Sequence, residues 1–364
     1  MTALAQGAIT IVIFVAMLGL LVVVHELGHF VTARLARVRV LEFGIGFPPR
    51  ARVLRSEGET LYTLNWLPIG GFVRLEGEDG DSDDPRSFVR ASLPVKIVVL
   101  CAGVAMNIAL AFLIFFLIAW LANPTVGLIV KEVQPDSPAA SAGIVVGDTI
   151  TSLDSAPFDY FGGGGGSPGS ILHEHAGHTV ALELERADAS RLIVLPTLRP
   201  VDQITVGRGA LGITFAAHLS GEYFQRSPVE AASIAFERTG QALSLVVDGL
   251  GQLADSIVTR PTEPPPVTGP IGIASQVGDV FWQLGPVFTL YLAGILSANL
   301  ALVNILPFPP LDGGRIAVLL LKRVAGERIS VRAERLTYLV GFVFLMSFLA
   351  WITFFDITAP GRGQ

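Results

Sequence analysis

The most informative stretch of this chain lies near its N-terminus, at Ala8–Ala33, and reads AITIVIFVAMLGLLVVVHELGHFVTA. It runs to Val24 without a charge. It reaches the roughly 20 residues that cross a bilayer only by including the polar residues His25, Glu26 and His29. Ionisable groups are costly in an apolar span, where they face a cavity and usually mark function. The stretch therefore predicts both a transmembrane helix and a functional site within it.

The composition excludes an ordinary soluble domain and a nucleic-acid partner. Of the 364 residues, 51% are hydrophobic and 15% are charged, whereas a soluble domain carries roughly 25% charged residues. The formal net charge of -6 offers no basic surface to a nucleic-acid backbone. The single cysteine, Cys101, cannot form an intrachain disulfide. The lipid bilayer is therefore the first partner to consider.

Three further segments reach the length that crosses a bilayer, namely Ile97–Ala122, Leu284–Leu306 and Leu336–Phe355. Pro228–Val258 is also apolar, but five charged residues interrupt it, so we expect an amphipathic helix lying at the outer surface. We therefore predict a polytopic α-helical membrane protein with four transmembrane helices. A cleaved signal peptide is the alternative interpretation of the first segment, although that segment lacks a basic start.

The distribution of Lys and Arg predicts the orientation, because loops kept in the cytoplasm carry the excess. Ten of the 25 lie within residues 34–96 and six within 315–335, whereas the much longer stretch 123–283 holds eight. We therefore expect the first loop in the cytoplasm, and both termini and the long insert on the extracytoplasmic side. The polar cluster of the first span then lies near the cytoplasmic side.

Two soluble parts are expected between the spans. In the first loop, Val38–Phe43 and Leu61–Leu67 favour strands, so we predict a membrane-associated β-hairpin. In the long insert, Val126–Val133 favours a strand and Ile171–Arg186 favours a helix followed by an alternating strand. These patterns predict a small extracytoplasmic α+β insert, with the five glycines of residues 162–166 as a flexible loop.

These elements predict a division of the chain into seven parts. The parts are a first transmembrane helix with HELGH at 1–36, a cytoplasmic loop with the β-hairpin at 37–93, a second transmembrane helix at 94–123, the α+β insert at 124–200, an extracytoplasmic amphipathic helix and proline-rich connection at 201–280, a third transmembrane helix with an LDG motif at 281–323, and a fourth transmembrane helix with the tail at 324–364. HELGH and the LDG motif therefore lie on different spans.

HELGH places His25 and His29 four residues apart, on one face of a helix. This spacing lets both imidazoles reach one tetrahedral zinc ion. Glu26 is not needed as a ligand and is free to act as a base toward a water molecule. The alternative is a chance spacing of two helix histidines, which their place in an apolar span disfavours.

A catalytic zinc site usually takes three protein ligands and leaves a fourth position open. The third span ends in NILPFPPLDGGR, Asn304–Arg315, where prolines prevent a regular helix and two glycines allow a tight turn. Asp312 is the candidate third ligand, because it falls at the same cytoplasmic end as the two histidines. A helix N-cap is the alternative role for Asp312.

A second group of histidines lies in the insert, at His173, His175 and His178. No pair among them has the i, i+4 spacing, and Gly177 breaks the helix between them. We therefore expect these residues to face solvent rather than to form a second metal site.

The joint presence of HELGH and N-x-x-P-x-P-x-L-D-G resembles the site-2 intramembrane metalloproteases, most closely the bacterial regulator-of-sigma-E protease type. The resemblance extends over nearly the whole chain and includes Pro68–Arg74, which is similar to the family's membrane-reentrant β-hairpin. It implies a multi-pass protein of the bacterial inner membrane. The residue roles that it implies are Glu26 as catalytic base, His25, His29 and Asp312 as zinc ligands, and Asn304 with the hairpin residues Gly70, Gly71 and Phe72 as substrate contacts.

Within the insert, Ser137–Asp148 is similar to part of a PDZ domain, and Ile171–Glu185 is similar to the helix and strand that line its peptide groove. The resemblance thus implies a PDZ-like domain that binds a peptide C-terminus. The chain departs from enterobacterial members in two respects. One PDZ-like pattern is present where those have two, and the polyglycine run precedes the groove helix.

The chemistry and the resemblance together predict a zinc protease that cuts within membranes. A transmembrane helix hides its peptide bonds in internal hydrogen bonds, so it must unwind before hydrolysis, and an edge strand of the hairpin would then pair with the freed backbone. The expected substrates are single-span proteins already trimmed outside, of the anti-sigma factor or remnant signal peptide type. The alternatives are a membrane-anchored zinc protease of soluble or loop segments, which the LDG segment disfavours, and a PDZ scaffold with an inert metal site, which the intact Glu26 disfavours.

Overall fold

The computed structural model describes residues 2–56, 58–78, 80, 82–161, 168–205, 207–260, 264–325 and 331–358. The α-helices are α1 Ala3–Leu35, α2 Leu93–Leu121, α3 Pro138–Ser141, α4 Pro168–Glu174, α5 Pro228–Thr259, α6 Pro270–Leu284, α7 Pro286–Asn304, α8 Asp312–Ala325 and α9 Val331–Thr358. The strands are β1 Val40–Arg55, β2 Leu61–Leu75, β3 Asn123–Val133, β4 Thr149–Leu153, β5 Ala156–Asp159, β6 Leu182–Glu185, β7 Arg191–Val194 and β8 Ile213–Phe224. The chain divides into two units, residues 1–114 with 239–364, and residues 115–238.

Five of the described helices are long and apolar enough to cross a membrane. They are α1, α2, α5, α7 and residues 332–358 of α9. The chain is therefore a multi-pass membrane protein, as predicted. Four of these helices coincide with the predicted spans, and the fifth, α5, is the helix that the sequence places at the outer surface. Because the length and composition of α5 also permit a crossing, the number of four spans stays a prediction.

The helix α6 is an element that the sequence analysis missed. It lies between the proline-rich connection and α7, and Gly285, with a φ of 92°, separates the two helices. The carboxylate of Asp356 on α9 accepts hydrogen bonds from the Gly269 and Gly272 amides at 3.1 and 2.9 Å, so it satisfies the N-terminus of α6. Trp282 donates to Thr10 Oγ1 of α1 at 3.0 Å. The helix thus joins α1 and α9 in the first unit.

The predicted hairpin of the first loop forms a sheet of four strand segments, because each of its two long strands contributes two segments. Residues 40–45 pair with 71–75 on one side and with 61–64 on the other, and residues 50–55 pair with 62–65. The order across the sheet is therefore 71–75, 40–45, 61–64, 50–55. Residues 71–75 form one edge, and no β-pair joins their outer side among the described residues.

This sheet is fixed against the helices by a buried apolar cluster. Its members are Ala33, Val38, Val40, Leu75, Phe88, Val99 and Leu100. They come from the end of α1, from both strands, from the start of α2 and from the segments that connect these elements. Burying such side chains stabilises the arrangement by about 1.5–3 kcal/mol for each large residue. The outer edge of the sheet is thereby held beside the helix that carries HELGH.

The second unit contains a six-stranded sheet in the order β7-β6-β4-β5-β3-β8. Its core includes the fully buried residues Leu128, Ile150, Leu182 and Leu184, and α4 contributes Leu172. The strand β8 pairs with β3 along nearly its whole length, so the sheet extends to Phe224, beyond the predicted boundary at residue 200. The predicted polyglycine loop at 162–166 lies outside the described residues.

A buried ion cluster ties this sheet to the start of α5. Asp159 Oδ2 lies 3.1 Å from Arg238 Nη2 and 3.2 Å from Arg226 Nη2. Arg238 Nη2 also donates to Asn123 Oδ1 at 3.2 Å. Burying a charge is tolerated only where it is paired in this way. The cluster therefore fixes the first turns of α5 relative to β3 and β5.

Candidate metal centre

Three polar side chains from α1 and α8 converge on one point. His25 and His29 lie one helical turn apart, and their Nε2 atoms are 3.2 Å apart. Asp312 Oδ2 lies 3.0 Å from His25 Nε2 and 3.3 Å from His29 Nε2. Both histidines are buried, with 6% and 8% of their surface exposed. The structure thus brings the three sequence-predicted ligands together across 287 residues of chain.

The donor set fits a zinc ion. Two imidazole nitrogens and one carboxylate oxygen are ligands that zinc takes in catalytic sites, where a further position stays open. His29 Nδ1 donates to the Val99 carbonyl oxygen at 2.8 Å, because a carbonyl can only accept. In the neutral imidazole, Nε2 then carries a lone pair that points into the cluster. Such a partner on the second ring nitrogen is typical of metal-ligating histidines.

Asp312 is positioned by the turn that precedes it. The residue begins α8, and the Leu311 amide donates to the Phe308 carbonyl at 3.0 Å. The next two residues are glycines for a steric reason: a Cβ atom on Gly313 would collide with the Ile305 carbonyl, and one on Gly314 with the Phe308 carbonyl. The close approach of α8 to the end of α7 therefore requires glycine at both positions. This approach aims the carboxylate at the histidines.

A cavity of about 490 Å³ opens onto the three converging side chains. Glu26 is half-buried in its wall, next to the two histidines on α1. A Cβ atom on Gly71 would lie 3.7 Å from Glu26 Cγ, so the backbone of the sheet edge passes directly beside this carboxylate. The cavity therefore places a carboxylate, three potential metal ligands and an open β-edge next to one another.

The structure places three of the four predicted substrate contacts in this cavity. Asn304, the last residue of α7, lines it together with Gly71 and Phe72. Gly70 is not among the described lining residues; it has a φ of 92°, and a Cβ atom there would lie 2.7 Å from the Phe47 ring. The positive φ and the nearby Phe47 ring therefore require glycine at position 70. Phe47 itself lines the cavity, and the sequence analysis did not single it out.

One face of α2 supplies further contacts that sequence reasoning missed. Val99, Gly103 and Asn107 are spaced by four residues, and each meets one or both imidazoles. Their spacing is the only sequence signal, since nothing in a single span says which face turns toward α1. Arg315 of α8 also forms an ion pair with Glu78, and both residues line the cavity.

The insert histidines do not form a comparable group. His173 and His178 are exposed, and His175 Nδ1 donates to the Ile171 carbonyl at 2.9 Å. Within the part of the chain that the structure describes, His25, His29 and Asp312 form the one group of three potential ligands, with the ligand atoms within 4.8 Å of one another.

The fold and this site define a multi-pass membrane protein with a buried histidine–carboxylate group that could hold a metal ion. Residues 13–348 match peptidase family M50, and the chain belongs to that family, which includes the site-2 proteases. The resemblance drawn from HELGH and the LDG motif is thereby confirmed.

Curated relatives cover nearly the whole chain. A candidate zinc metalloprotease of Clostridium perfringens strain 13 is 32% identical over 344 residues, 93% of this chain and 96% of that protein. The zinc metalloprotease RasP of Geobacillus kaustophilus is 25% identical over an alignment of 434 residues, 96% of this chain and 97% of that protein. A candidate zinc metalloprotease of Nostoc is 29% identical over 346 residues, 91% of each chain. The protein is thus a metalloprotease of a zinc-dependent family, and zinc as cofactor is confirmed.

Proposed function

We propose that this protein is an intramembrane zinc endopeptidase in which His25, His29 and Asp312 bind the metal and Glu26 is the general base. One observation carries the proposal: the three ligand atoms lie within 4.8 Å of one another, and two of them belong to a helix long and apolar enough to span a membrane. Ionisable groups are costly in such a helix, so this placement favours a site that works within the membrane over one that works in water.

In the proposed reaction, the bound zinc and Glu26 have separate roles. When bound, zinc supplies Lewis acidity, which polarises a carbonyl group and makes water acidic enough to lose a proton near neutral pH. Glu26 takes that proton on its carboxylate and returns it to the amine that leaves.

The open edge of the first-loop sheet is the proposed binding site for the substrate backbone. A transmembrane helix must unwind to expose a peptide bond, and its freed N–H and C=O groups then need partners that lipid cannot supply. The edge at residues 71–75 offers such partners by β-addition, and it passes beside Glu26. Asn304, which also lines the cavity, is suited to hold the same extended segment through its side-chain amide.

The substrate class follows from this geometry together with the predicted topology. We propose single-span membrane proteins that have lost their outer domain, of the anti-sigma factor or remnant signal peptide type. The active site lies near the cytoplasmic side of the inner membrane and both termini lie outside, as the Lys and Arg distribution favours. The extracytoplasmic insert is proposed to act as a PDZ-like domain that selects substrates.

The test uses the purified protein in liposomes with two substrates of the same sequence. In the first, the candidate segment is a transmembrane helix, and in the second it is a loop of a soluble carrier. Mass measurement of the fragments should locate cleavage within the transmembrane segment, and a zinc chelator or Glu26→Gln should stop it. Cleavage of the soluble loop alone would favour a membrane-anchored protease of loop segments. Zinc binding without cleavage of either substrate would favour the scaffold.

A further inference from the structure

The face of α2 that meets the metal centre ends in a buried asparagine. Asn107 is 0% exposed, and its Nδ2 atom lies 3.3 Å from His25 Nδ1. One turn earlier, Gly103 makes room for the imidazoles, and a further turn earlier the Val99 carbonyl accepts from His29 Nδ1. The two histidines therefore each have a partner from α2 on the ring nitrogen that faces away from the other ligands.

Only one of the two polar atoms of the Asn107 side chain, Nδ2, has a hydrogen-bond partner among the described residues. The Oδ1 atom is buried and has no hydrogen-bond partner among the described residues. With Nδ2 directed at His25 Nδ1, the amide donates to that nitrogen, and the neutral ring must carry its proton on Nε2. Nε2 is the atom that faces Asp312 and His29, and a protonated nitrogen cannot bind a metal.

A rotation of the amide by 180° gives the buried oxygen a partner and places Nδ2 where the oxygen was. The amide oxygen and nitrogen have nearly the same size, so they exchange places without displacing a neighbour. Oδ1 then accepts from His25 Nδ1, the orphaned oxygen gains its partner, and the His25 Nε2 lone pair becomes available. The backbone of Asn107 is held for this role, because Ser297 Oγ of α7 donates to its carbonyl oxygen at 2.8 Å.

We propose that Asn107 is the positioning residue of the His25 ligand, accepting a hydrogen bond from Nδ1 so that Nε2 is presented to the metal. The inference rests on the proposed zinc ligation by His25, His29 and Asp312. Asn107 does not touch the metal or the substrate. Partners of this kind on ligating histidines fix the tautomer and ring orientation, and their loss typically costs 10–100-fold in metal affinity.

The test measures the zinc dissociation constant of the full-length protein in detergent by competition with a chelator, alongside the unfolding temperature of the metal-free protein. Asn107→Leu keeps the approximate shape and removes the acceptor, so we expect zinc to bind about 10–100-fold more weakly. Asn107→Asp restores an acceptor, so its dissociation constant should stay within about threefold of the wild type or become tighter. Asn107→Ala serves where the leucine variant does not fold, with the same expected loss.

The control is Thr289→Val on α7. Thr289 is a buried residue that does not line the cavity, and the change removes its 3.0 Å hydrogen bond to the Gly285 carbonyl. The zinc affinity of this variant should equal that of the wild type. A merely structural Asn107 would lower the unfolding temperature in the leucine and aspartate variants alike and leave zinc affinity unchanged, and this would overturn the proposal. Equal losses of affinity in both variants would overturn it too. A wild type that binds no zinc would reject the ligand assignment as well.

Discussion

Gly103 of α2 lies so close to the His25 imidazole that a Cβ atom added to it would fall 2.6 Å from Cε1 and 2.7 Å from Nε2. The same atom would fall 2.5 Å from His29 Nε2. Real Cβ atoms essentially never approach other heavy atoms below 3.0 Å. The two histidines can therefore keep their places against α2 only because this position has no side chain.

Gly103→Ala should consequently damage the metal centre. Either α2 or the imidazoles must move, and forcing an extra methyl group into a packed site costs about 1–3 kcal/mol. We expect the zinc dissociation constant to rise at least about tenfold, since 1.4 kcal/mol corresponds to that factor. The matched control is Gly7→Ala on α1, where the added Cβ meets no described heavy atom within 4 Å. Unchanged zinc binding by Gly103→Ala would show that the site adapts freely.

The zinc content of purified variants should distinguish the proposed zinc ligands from the proposed base. His25→Ala and Asp312→Ala remove converging donor atoms, so we expect zinc content to fall from near one ion per chain toward zero. Glu26→Gln removes the carboxylate and neither imidazole, so zinc should stay bound while the cleavage rate falls by about 10²–10⁴-fold, the usual contribution of a general base. Metal analysis of the purified variants and a cleavage assay measure the two effects. Near wild-type cleavage by Glu26→Gln would exclude its role as base.

The predicted sidedness can be tested with two cysteines in a Cys101→Ala background. Ser56 lies in the exposed connection after β1, and Ser190 lies in an exposed turn before β7. Ser56→Cys should react with an impermeant thiol reagent only from the cytoplasm, because the basic residues hold the first loop inside, and Ser190→Cys should react only from outside. Labelling of both from intact cells would show that the orientation is wrong.

The insert should control access rather than contribute to chemistry. Because β8 pairs with β3, a deletion must remove residues 123–226 together, replaced by a flexible linker. If the insert excludes untrimmed substrates, the shortened enzyme should cleave them as well as trimmed ones. If it captures a newly exposed C-terminus, KM for the trimmed substrate should rise with little change in kcat, as expected when uniform binding is lost. Unchanged kinetics for both substrates in a folded, zinc-loaded enzyme would leave the insert as a spacer.

The sequence alone carries the part of the site that depends on local periodicity. A spacing of four residues, close to one helical turn, places His25 and His29 on one face in any α-helix, and an apolar span makes their presence informative. The prolines and glycines around Asp312 likewise mark a turn at the end of a span, because their backbone preferences act within a few residues. The family follows from these two motifs together, and the comparison with peptidase family M50 confirms it.

The remaining parts depend on which faces meet, and this is not written into any single segment. The rotation of α2 about its axis, which turns Val99, Gly103 and Asn107 toward the histidines, follows from packing against α1 and α7. An evenly apolar helix offers no amphipathic stripe from which to predict that rotation. Three other features likewise depend on contacts between residues distant in sequence. They are the four-segment sheet of the first loop, the extension of the insert to β8 and the position of α6. Tertiary packing thus decided how the candidate ligands are supported, whereas local sequence patterns determined which residues are the candidates.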